Sequence, residues 1–230
     1  MSRKNKLRRF ADIYAYPNVY ENFNPLDPKL VHQEGKTIEM KGLWASQHFG
    51  NDHPITMELA CGGGEYTVGM AHEYPQRNFI GVDIKGARIW KGATKALKND
   101  LKNVVFLRTR IEQIQLFFAE KEIDQIWITF PDPFPRESKI NRRLTSHRFL
   151  DQYKTLLVPE GCVHLKTDSL LFYNFTLETL AERTDIHLEY QCDDIYAGPL
   201  ENSFLEIKTH YEIQHLRDNR TIKYLRFRFL

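Results

Sequence analysis

Hydrophobic and polar positions follow a repeating order along most of the chain. Short apolar runs rich in β-branched or aromatic residues alternate with longer stretches that have helical spacing. The runs that predict strands are Ile55–Leu59, Asn78–Val82, Val104–Leu107, Gln125–Phe130, Cys162–Lys166, Ile186–Gln191 and Thr221–Phe229. The stretches that predict helices are Glu65–Glu73, Lys85–Asp100, Ile111–Lys121, Thr145–Leu156 and Ser169–Arg183. This alternation, with nearly continuous apolar strands, is typical of an α/β protein with a doubly wound, mostly parallel sheet.

The two ends of the chain depart from this order. The last run, "TIKYLRFRFL", alternates polar and apolar residues and follows no helix of crossover length, which predicts an antiparallel last strand in a seven-stranded sheet. Residues 1–50 are rich in aromatic residues, Asn and Pro, and predict an arm that lies over the domain or stays disordered until a partner binds. We therefore predict an N-terminal arm over residues 1–50 and one domain over residues 51–230.

Composition excludes several classes of protein. The chain has 230 residues, of which 42% are hydrophobic, and it can bury a core. No run of eighteen apolar residues is present, so no membrane span is predicted. Three cysteines lie far apart and nine histidines lack ligand spacing, so neither a disulfide framework nor a metal site is predicted. These features favour a protein of the reducing cytoplasm.

Basic residues are clustered although the net charge is only +2. The first cluster occupies residues 3–9, the second residues 136–148 and the third residues 217–228. Their members are Arg3, Lys4, Lys6, Arg8, Arg9; Arg136, Lys139, Arg142, Arg143, Arg148; and Arg217, Arg220, Lys223, Arg226, Arg228. Each alone is consistent with solvated surface, but together they favour a nucleic acid, provided that the fold brings them to one face.

A glycine cluster follows the first predicted strand and precedes a helix. Gly62, Gly63 and Gly64 allow a tight turn and a close backbone approach to a ligand. Thr67 stands where a dinucleotide-binding fingerprint needs glycine, which disfavours NAD. Glu58 ends the strand before the loop, where it suits a cationic ligand better than a pyrophosphate.

Asp83 ends the second strand, where a carboxylate can accept hydrogen bonds from ribose hydroxyls. Glu58, the glycines and Asp83 together predict a site for S-adenosylmethionine, which has a cationic end and a ribose but no phosphate. The alternative is an ordinary strand-to-helix turn with incidental acids.

Two further acids follow later strands. Asp132 lies in "PDPFP" (residues 131–135), where prolines stiffen the loop, and a basic run follows at once. We interpret this loop as a substrate-binding edge beside the methyl donor; a helix N-cap or a solvated turn acid is the alternative. Asp168 follows the fifth strand in "KTDS", which is also a good helix N-cap sequence.

These motifs resemble those of the bacterial tRNA (guanine-N7-)-methyltransferases of the TrmB type, along nearly the whole chain. The matching segments are Glu58-x-x-Cys61-Gly62-x-Gly64, "IGVDIK", "FPDP" followed by "RRLTS", "KTD" and "KTHYE". The resemblance implies a Rossmann-like class I S-adenosylmethionine-dependent methyltransferase domain. It also implies methyl transfer to N7 of guanine 46 in the tRNA variable loop. We expect a cytoplasmic protein that is a monomer or a homodimer.

Carried onto matching positions, the resemblance implies a role for each residue. Glu58, Gly62, Gly64, Asp83, Arg110 and Asp132 would bind the cofactor, and Asp132 would be catalytic. Arg136, Asp168, Thr209, Tyr211 and Glu212 would bind the target guanosine, Asp168 as an acceptor for the N1–H or N2–H₂ edge.

Three positions depart from the family pattern. Ala60 replaces the first loop glycine, which could crowd the turn. Arg110 replaces an acid or amide, which puts a side-chain contact with adenine in doubt. Arg136 stands where the family usually has lysine.

Two other functions remain open from the sequence. One is methylation of another RNA, a small molecule or a protein by an S-adenosylmethionine-dependent enzyme. The other is RNA binding without catalysis on the same fold.

Overall fold

One ten-stranded sheet organises the protein. The computed structural model describes the backbone of residues 3–230 and the side chains from residue 7 onward. The strands are β1 (Val19–Glu21), β2 (Leu30–His32), β3 (Lys36–Ile38), β4 (Ile55–Leu59), β5 (Asn78–Asp83), β6 (Val104–Arg108), β7 (Ile123–Thr129), β8 (Leu157–Thr167), β9 (Ile186–Cys192) and β10 (Lys223–Phe229). The α-helices are α1 (Arg3–Ala15), α2 (Glu65–Glu73), α3 (Gly86–Lys98), α4 (His147–Leu156), α5 (Leu170–Ala181) and α6 (His210–Arg217).

The strand order is β3-β2-β1-β6-β5-β4-β7-β8-β10-β9. From β1 to β8 the neighbouring pairs are parallel, and β10 is antiparallel to both β8 and β9. The predicted doubly wound sheet with an antiparallel last strand is thus confirmed in the seven strands from β6 to β9. The strands β1, β2 and β3 extend it at one edge, and each has only three residues.

Residues 3–50 contribute to this edge of the sheet. Strand β1 pairs in parallel with β6, and helix α1 packs on α3, where Ile13 is buried and Asp12 accepts a hydrogen bond from the Trp90 indole at 2.7 Å. The described part of the arm, from residue 3 onward, therefore packs against the sheet and α3. Its division from the rest at residue 50 stays a prediction.

Apolar side chains cover both faces of the central sheet, and its strands are buried between two layers of helices. Along β6, Val105 and Leu107 join one hydrophobic cluster while Val104 and Phe106 join the other. Helices α4 and α5 cover the first face, and α1, α2 and α3 cover the second. Because helices cover both faces, we expect ligands to bind at the carboxyl ends of the strands, as they do in other open α/β sheets.

The helix predicted for Ile111–Lys121 is wrong in type and length. The structure has a 3₁₀-helix over Ile111–Leu116, and a second over Glu137–Arg142 follows β7. A π-helix spans Trp44–Phe49, and a further 3₁₀ turn spans Ser203–Glu206. Among the described residues, no helix has both the length and the apolar character needed to span a bilayer.

Candidate active site

Four acids lie at or just beyond the carboxyl ends of four neighbouring strands. Strands β5, β4, β7 and β8 are consecutive and parallel, so their carboxyl ends lie side by side. Glu58 is the fourth residue of β4, Asp83 is the last of β5, and Asp168 directly follows β8. Asp132 lies three residues beyond β7. The topology thus brings together acids that are up to 110 positions apart in sequence (168 − 58).

The loop between β4 and α2 is held in a left-handed conformation. Gly62 and Gly64 have φ of 57° and 69°, values that glycine adopts without steric cost. A Cβ on Gly64 would lie 2.5 Å from the Phe106 ring and 3.2 Å from the Cα of Gly92. The loop backbone is therefore packed directly on β6 and α3, and no side chain fits between them.

Ala60 carries backbone strain in the same loop. Its φ of 58° lies in the region that costs an L-residue about 1–2 kcal/mol. Because glycine loses about 0.5–1 kcal/mol more on folding, Ala60→Gly should stabilise the protein by up to about 1 kcal/mol. Thermal unfolding should show a midpoint about 2–4 °C higher.

A matched control is Ala181→Gly, at the exposed end of α5. This position has helical backbone, so the same chemical change should lower the midpoint there. Equal losses at both positions would disprove the strain at Ala60.

Glu58 is buried beneath the glycine loop. The backbone amide of Thr67 donates to its carboxylate at 2.9 Å, and the hydroxyls of Thr67 and Thr129 also donate to it. Burial raises the pKa of Glu58 to about 7, against these hydrogen bonds, which lower it. The site thus contains a carboxylate poised to ionise near neutral pH, where a bound cation would favour the charged form.

Asp83 is buried at the tip of β5 and is fixed by two backbone amides. Gly62 N donates to its Oδ2 at 3.0 Å, and Lys85 N donates to its Oδ1 at 2.7 Å. One of these donors belongs to the glycine loop and the other precedes α3. The carboxylate therefore joins the loop to the next strand tip, and further lone pairs remain for ligand hydroxyls.

Asp132 lies exposed in the proline-flanked loop, and its own loop fixes the carboxylate. The backbone amide of Phe134 donates to Asp132 Oδ1 at 3.1 Å. Phe134 and Phe130 have φ of 41° and 48°, both in the left-handed region. The loop therefore turns sharply on either side of Asp132 and presents its carboxylate to solvent at the sheet edge.

Asp168 is engaged by two cationic or potentially cationic side chains. Arg220 Nη1 donates to its Oδ2 at 2.8 Å, and His215 Nδ1 lies 3.6 Å from the same oxygen. Helix α5 is capped by the neighbouring residue, since Ser169 accepts from Phe172 N at 3.2 Å. Asp168 is thus not the side-chain N-cap, and a guanine edge would compete with Arg220 for it.

The predicted substrate segment Thr209–Glu212 begins α6. Thr209 and Glu212 form a reciprocal capping box, with Glu212 N donating to Thr209 Oγ1 at 3.1 Å. Glu212 is fully buried and pairs with Lys166 Nζ at 2.8 Å, while Tyr211 is 51% exposed. In this segment, Tyr211 and His210 are exposed, whereas Thr209 and Glu212 stabilise the helix start.

The two remaining predicted residues are exposed. Arg110 is the N-cap residue of the 3₁₀-helix after β6, and Arg136 is that of the 3₁₀-helix after the proline-flanked loop. Both follow the carboxyl ends of their strands, on the same side of the sheet as the four acids. The roles assigned to all these residues in ligand binding stay predictions.

The three basic clusters differ in how much charge they present. In the third, Arg217 and Arg220 are exposed near the acidic edge, but Arg226 pairs with Glu189 at 2.8 Å and Arg228 with Glu160 and Glu189, farther along β10. The charges of Arg226 and Arg228 are therefore balanced by carboxylates within the protein.

In the first two basic clusters, too, some arginines are engaged by other residues of the protein. Arg143, in the second, is buried and donates to the carbonyls of Pro133 and Phe134, whereas Arg136, Arg142 and Arg148 are exposed. In the first cluster, Arg9 packs over the Trp90 ring at 4.5 Å. The side chains of Arg3, Lys4 and Lys6 lie outside the described residues.

Sequence reasoning missed the residues that hold the acids in place. Thr67 and Thr129 bind Glu58, Arg220 binds Asp168, and Lys166 binds Glu212. For Lys166 one signal existed, because a lysine at the end of a strand buried on both faces needs a counter-charge. Within the described part of the chain, no group of three or more His, Cys, Asp or Glu is arranged to hold a metal ion.

Comparison with known proteins identifies the family to which the chain is similar. A family model described as "Putative methyltransferase" matches residues 52–225. The tRNA (guanine-N(7)-)-methyltransferase of Bacteroides thetaiotaomicron is 46% identical over 226 residues, which are 98% of this chain and 86% of that protein. The enzyme of the same name from Christiangramia forsetii is 43% identical and covers 99% of both chains.

Solved structures match in fold at low sequence identity. The 16S rRNA methyltransferase KamB superposes with a TM-score of 0.62 at 14% identity, over 83% of this chain and 94% of that chain. TrmN from Thermus thermophilus gives a TM-score of 0.56 at 18% identity, over 77% of this chain and 45% of that chain. These likenesses concern the arrangement of strands and helices.

Proposed function

Since the chain belongs to the tRNA (guanine-N7-)-methyltransferase family, we propose that it methylates N7 of guanine 46 in the tRNA variable loop, with S-adenosylmethionine as donor. The observation that carries the proposal is the placement of Glu58, Asp83, Asp132 and Asp168 at the carboxyl ends of neighbouring strands. Family membership indicates the reaction, and the acids at these strand ends are suited to bind S-adenosylmethionine and a guanine base.

The donor suits the groups around the glycine loop. S-adenosylmethionine supplies an electrophilic methyl group on a sulfonium. Glu58 contributes negative charge beneath the loop, Asp83 offers acceptors for ribose hydroxyls, and Gly62 and Gly64 leave the backbone bare for close approach. Arg110 would contact the nucleoside through its backbone, because an arginine cannot accept hydrogen bonds from an adenine amine.

The reaction needs alignment rather than a base. N7 of guanine carries a lone pair and no proton, so it can donate this pair to the methyl carbon while the carbon–sulfur bond breaks and sulfur keeps the bonding electrons. The base becomes cationic as the sulfonium loses its charge. Asp132, fixed by Phe134 N, would stabilise the developing charge on the base from a set position.

The target base would be selected by Asp168. Its carboxylate can accept from N1–H and N2–H₂ of guanine, a pattern that adenine lacks. Arg220 occupies this carboxylate, and at 52% exposure its side chain can turn toward a phosphate instead. Arg136 and Tyr211, both exposed at the same edge, would contact the nucleotide through charge and stacking.

The proposal is tested by methyl transfer from labelled S-adenosylmethionine to unmodified tRNA transcripts that carry guanine or adenine at position 46. Label should appear as 7-methylguanosine in the guanine transcript alone. Label at another guanine, or in both transcripts, would refute the assigned position; binding of tRNA without transfer would favour a non-catalytic RNA-binding protein.

Cofactor affinity should depend on pH through Glu58. The folded carboxyl keeps its proton up to about pH 7, whereas in the unfolded chain it loses it near 4.5. The folded state therefore binds more protons in this window, and the stability of the unliganded protein falls as pH rises across it. A cationic ligand favours the ionised form, so affinity for S-adenosylmethionine should rise with pH by up to about tenfold per unit below pH 7 and then level off.

Isothermal titration between pH 5.5 and 8.5 measures this dependence. Glu58→Gln, which keeps the shape of the side chain, should bind more weakly at pH 8 and with a flat profile. A wild-type profile in this variant would assign the titration to another group.

A further inference from the structure

We propose that Arg143 is a positioning residue: it holds the Asp132 carboxylate in place, and so affects the rate of methyl transfer and not the affinity for RNA. The inference rests on the catalytic role proposed for Asp132. It concerns a residue that the sequence groups with the RNA-binding charges, since Arg143 belongs to the basic run after the proline-flanked loop.

Arg143 is committed to contacts within the protein. It is 6% exposed, although it lies in a run whose neighbours Arg136 and Arg142 are exposed. Its Nε donates to the carbonyl of Pro133 at 3.1 Å, and its Nη2 donates to the carbonyl of Phe134 at 3.2 Å. A phosphate could reach this guanidinium only by displacing the loop.

The other side of the guanidinium rests on a helix. Its central carbon lies 4.4 Å from the centre of the Phe175 ring, in the middle of α5. Planar stacking on an aromatic ring together with a fork of donors is a combination that arginine provides and lysine does not. Arg143 thus connects the loop to a rigid element of the domain.

Phe134 passes this constraint to Asp132. Its carbonyl accepts from Arg143, and its amide donates to Asp132 Oδ1 at 3.1 Å. Its φ of 41° is unfavourable for a phenylalanine, so the conformation needs support from outside the loop. Without Arg143 the peptide at residue 134 is free to relax, and the carboxylate of Asp132 loses its fixed direction.

The test is steady-state kinetics of Arg143→Met, which keeps apolar contact with Phe175 and removes the donors. We expect kcat to fall about 10- to 100-fold, the loss typical of a small misplacement of a reacting group. KM for tRNA and for S-adenosylmethionine should stay close to the wild-type values. Arg142→Met is the matched control, and it should raise KM for tRNA with kcat unchanged.

Two further variants separate positioning from general instability. Arg143→Lys keeps a buried cation and should fold, but lysine has neither the planar fork of donors nor the flat stacking on Phe175, so kcat should still fall. In Arg143→Ala, added guanidinium at non-denaturing concentration should partly restore kcat. The double variant Asp132→Asn/Arg143→Met should be no slower than Asp132→Asn alone, because both changes act on one carboxylate.

Each outcome decides the matter. A wild-type kcat in both Arg143→Met and Arg143→Lys, or a rise in KM for tRNA alone, would overturn the inference and leave the proposed function standing. Full turnover by Asp132→Asn would refute the catalytic role of Asp132, and Arg143 would then have no carboxylate to position.

Discussion

Asp132→Asn should lower kcat by about 100-fold or more and leave the loop in place. The amide oxygen of asparagine can still accept from Phe134 N, which donates to Asp132 Oδ1 at 3.1 Å, but the negative charge is gone. The magnitude is that of removing one group aimed at charge developing in a transition state. Because Asp132 is exposed, the fold should be unaffected.

Asp132→Ala is the comparison that isolates the charge from the turn. Alanine removes both the charge and the acceptor for Phe134 N, so its kcat should be as low as that of Asp132→Asn or lower. Single-turnover measurements with saturating tRNA and donor report the chemical step directly. Wild-type rates in Asp132→Asn would mean that the residue only shapes the loop.

The second large effect concerns stability. Lys166→Met should lower the free energy of unfolding by about 3–5 kcal/mol, because it leaves the buried Glu212 carboxylate without its counter-charge. Both side chains are fully buried, with Nζ 2.8 Å from Glu212 Oε1. The ammonium also donates to the carbonyls of Leu205 and Ile207 at 3.2 and 3.1 Å.

Denaturant unfolding measures this loss, with Lys102→Met as the matched control. Lys102 pairs with Asp100 at a site where both side chains are 82% exposed, so the same chemical change should have little effect there. The double variant Lys166→Met/Glu212→Leu should recover part of the loss, since it removes both buried charges. A single variant as stable as the control would contradict the assigned pair.

This ion pair also links stability to the proposed substrate site. Glu212 caps α6 with Thr209 and accepts from the Tyr196 hydroxyl at 2.7 Å. Lys166 belongs to β8 and lies two residues before Asp168. The start of α6 and the tip of β8, which carry the residues proposed to hold guanosine, are therefore fixed to each other by one buried contact.

The sequence predicted the central sheet well because its strands carry a local signal. Ile55–Leu59 was predicted to the residue, since three of its five residues are large and apolar and a glycine loop follows it. Strands β1, β2 and β3 were missed because three residues are too few for any period to appear. The stretch after β6 has apolar residues at a spacing of three, which also suits the 3₁₀-helix that is present.

In the candidate site, too, some residues could be predicted from the sequence and others could not. Acids at strand tips can be found from sequence because each follows its own apolar run, as Asp83 and Asp168 do. Their partners come from elsewhere in the chain: Arg220 lies 52 residues from Asp168, and Thr129 lies 71 residues from Glu58. Such pairs depend on how the elements meet in space, and no local pattern distinguishes Arg143, which is buried, from Arg142, which is exposed.

Phe106 limits how this protein can change in evolution. A methyl group on Gly81 would lie 2.8 Å from the Phe106 ring and 2.9 Å from the hydroxyl of Thr67, which also holds Glu58. Both obstacles are side chains, so an alanine at position 81 becomes acceptable once they change with it. A lineage can therefore alter this part of the core only by coordinated substitutions, one of which reaches the carboxylate under the glycine loop.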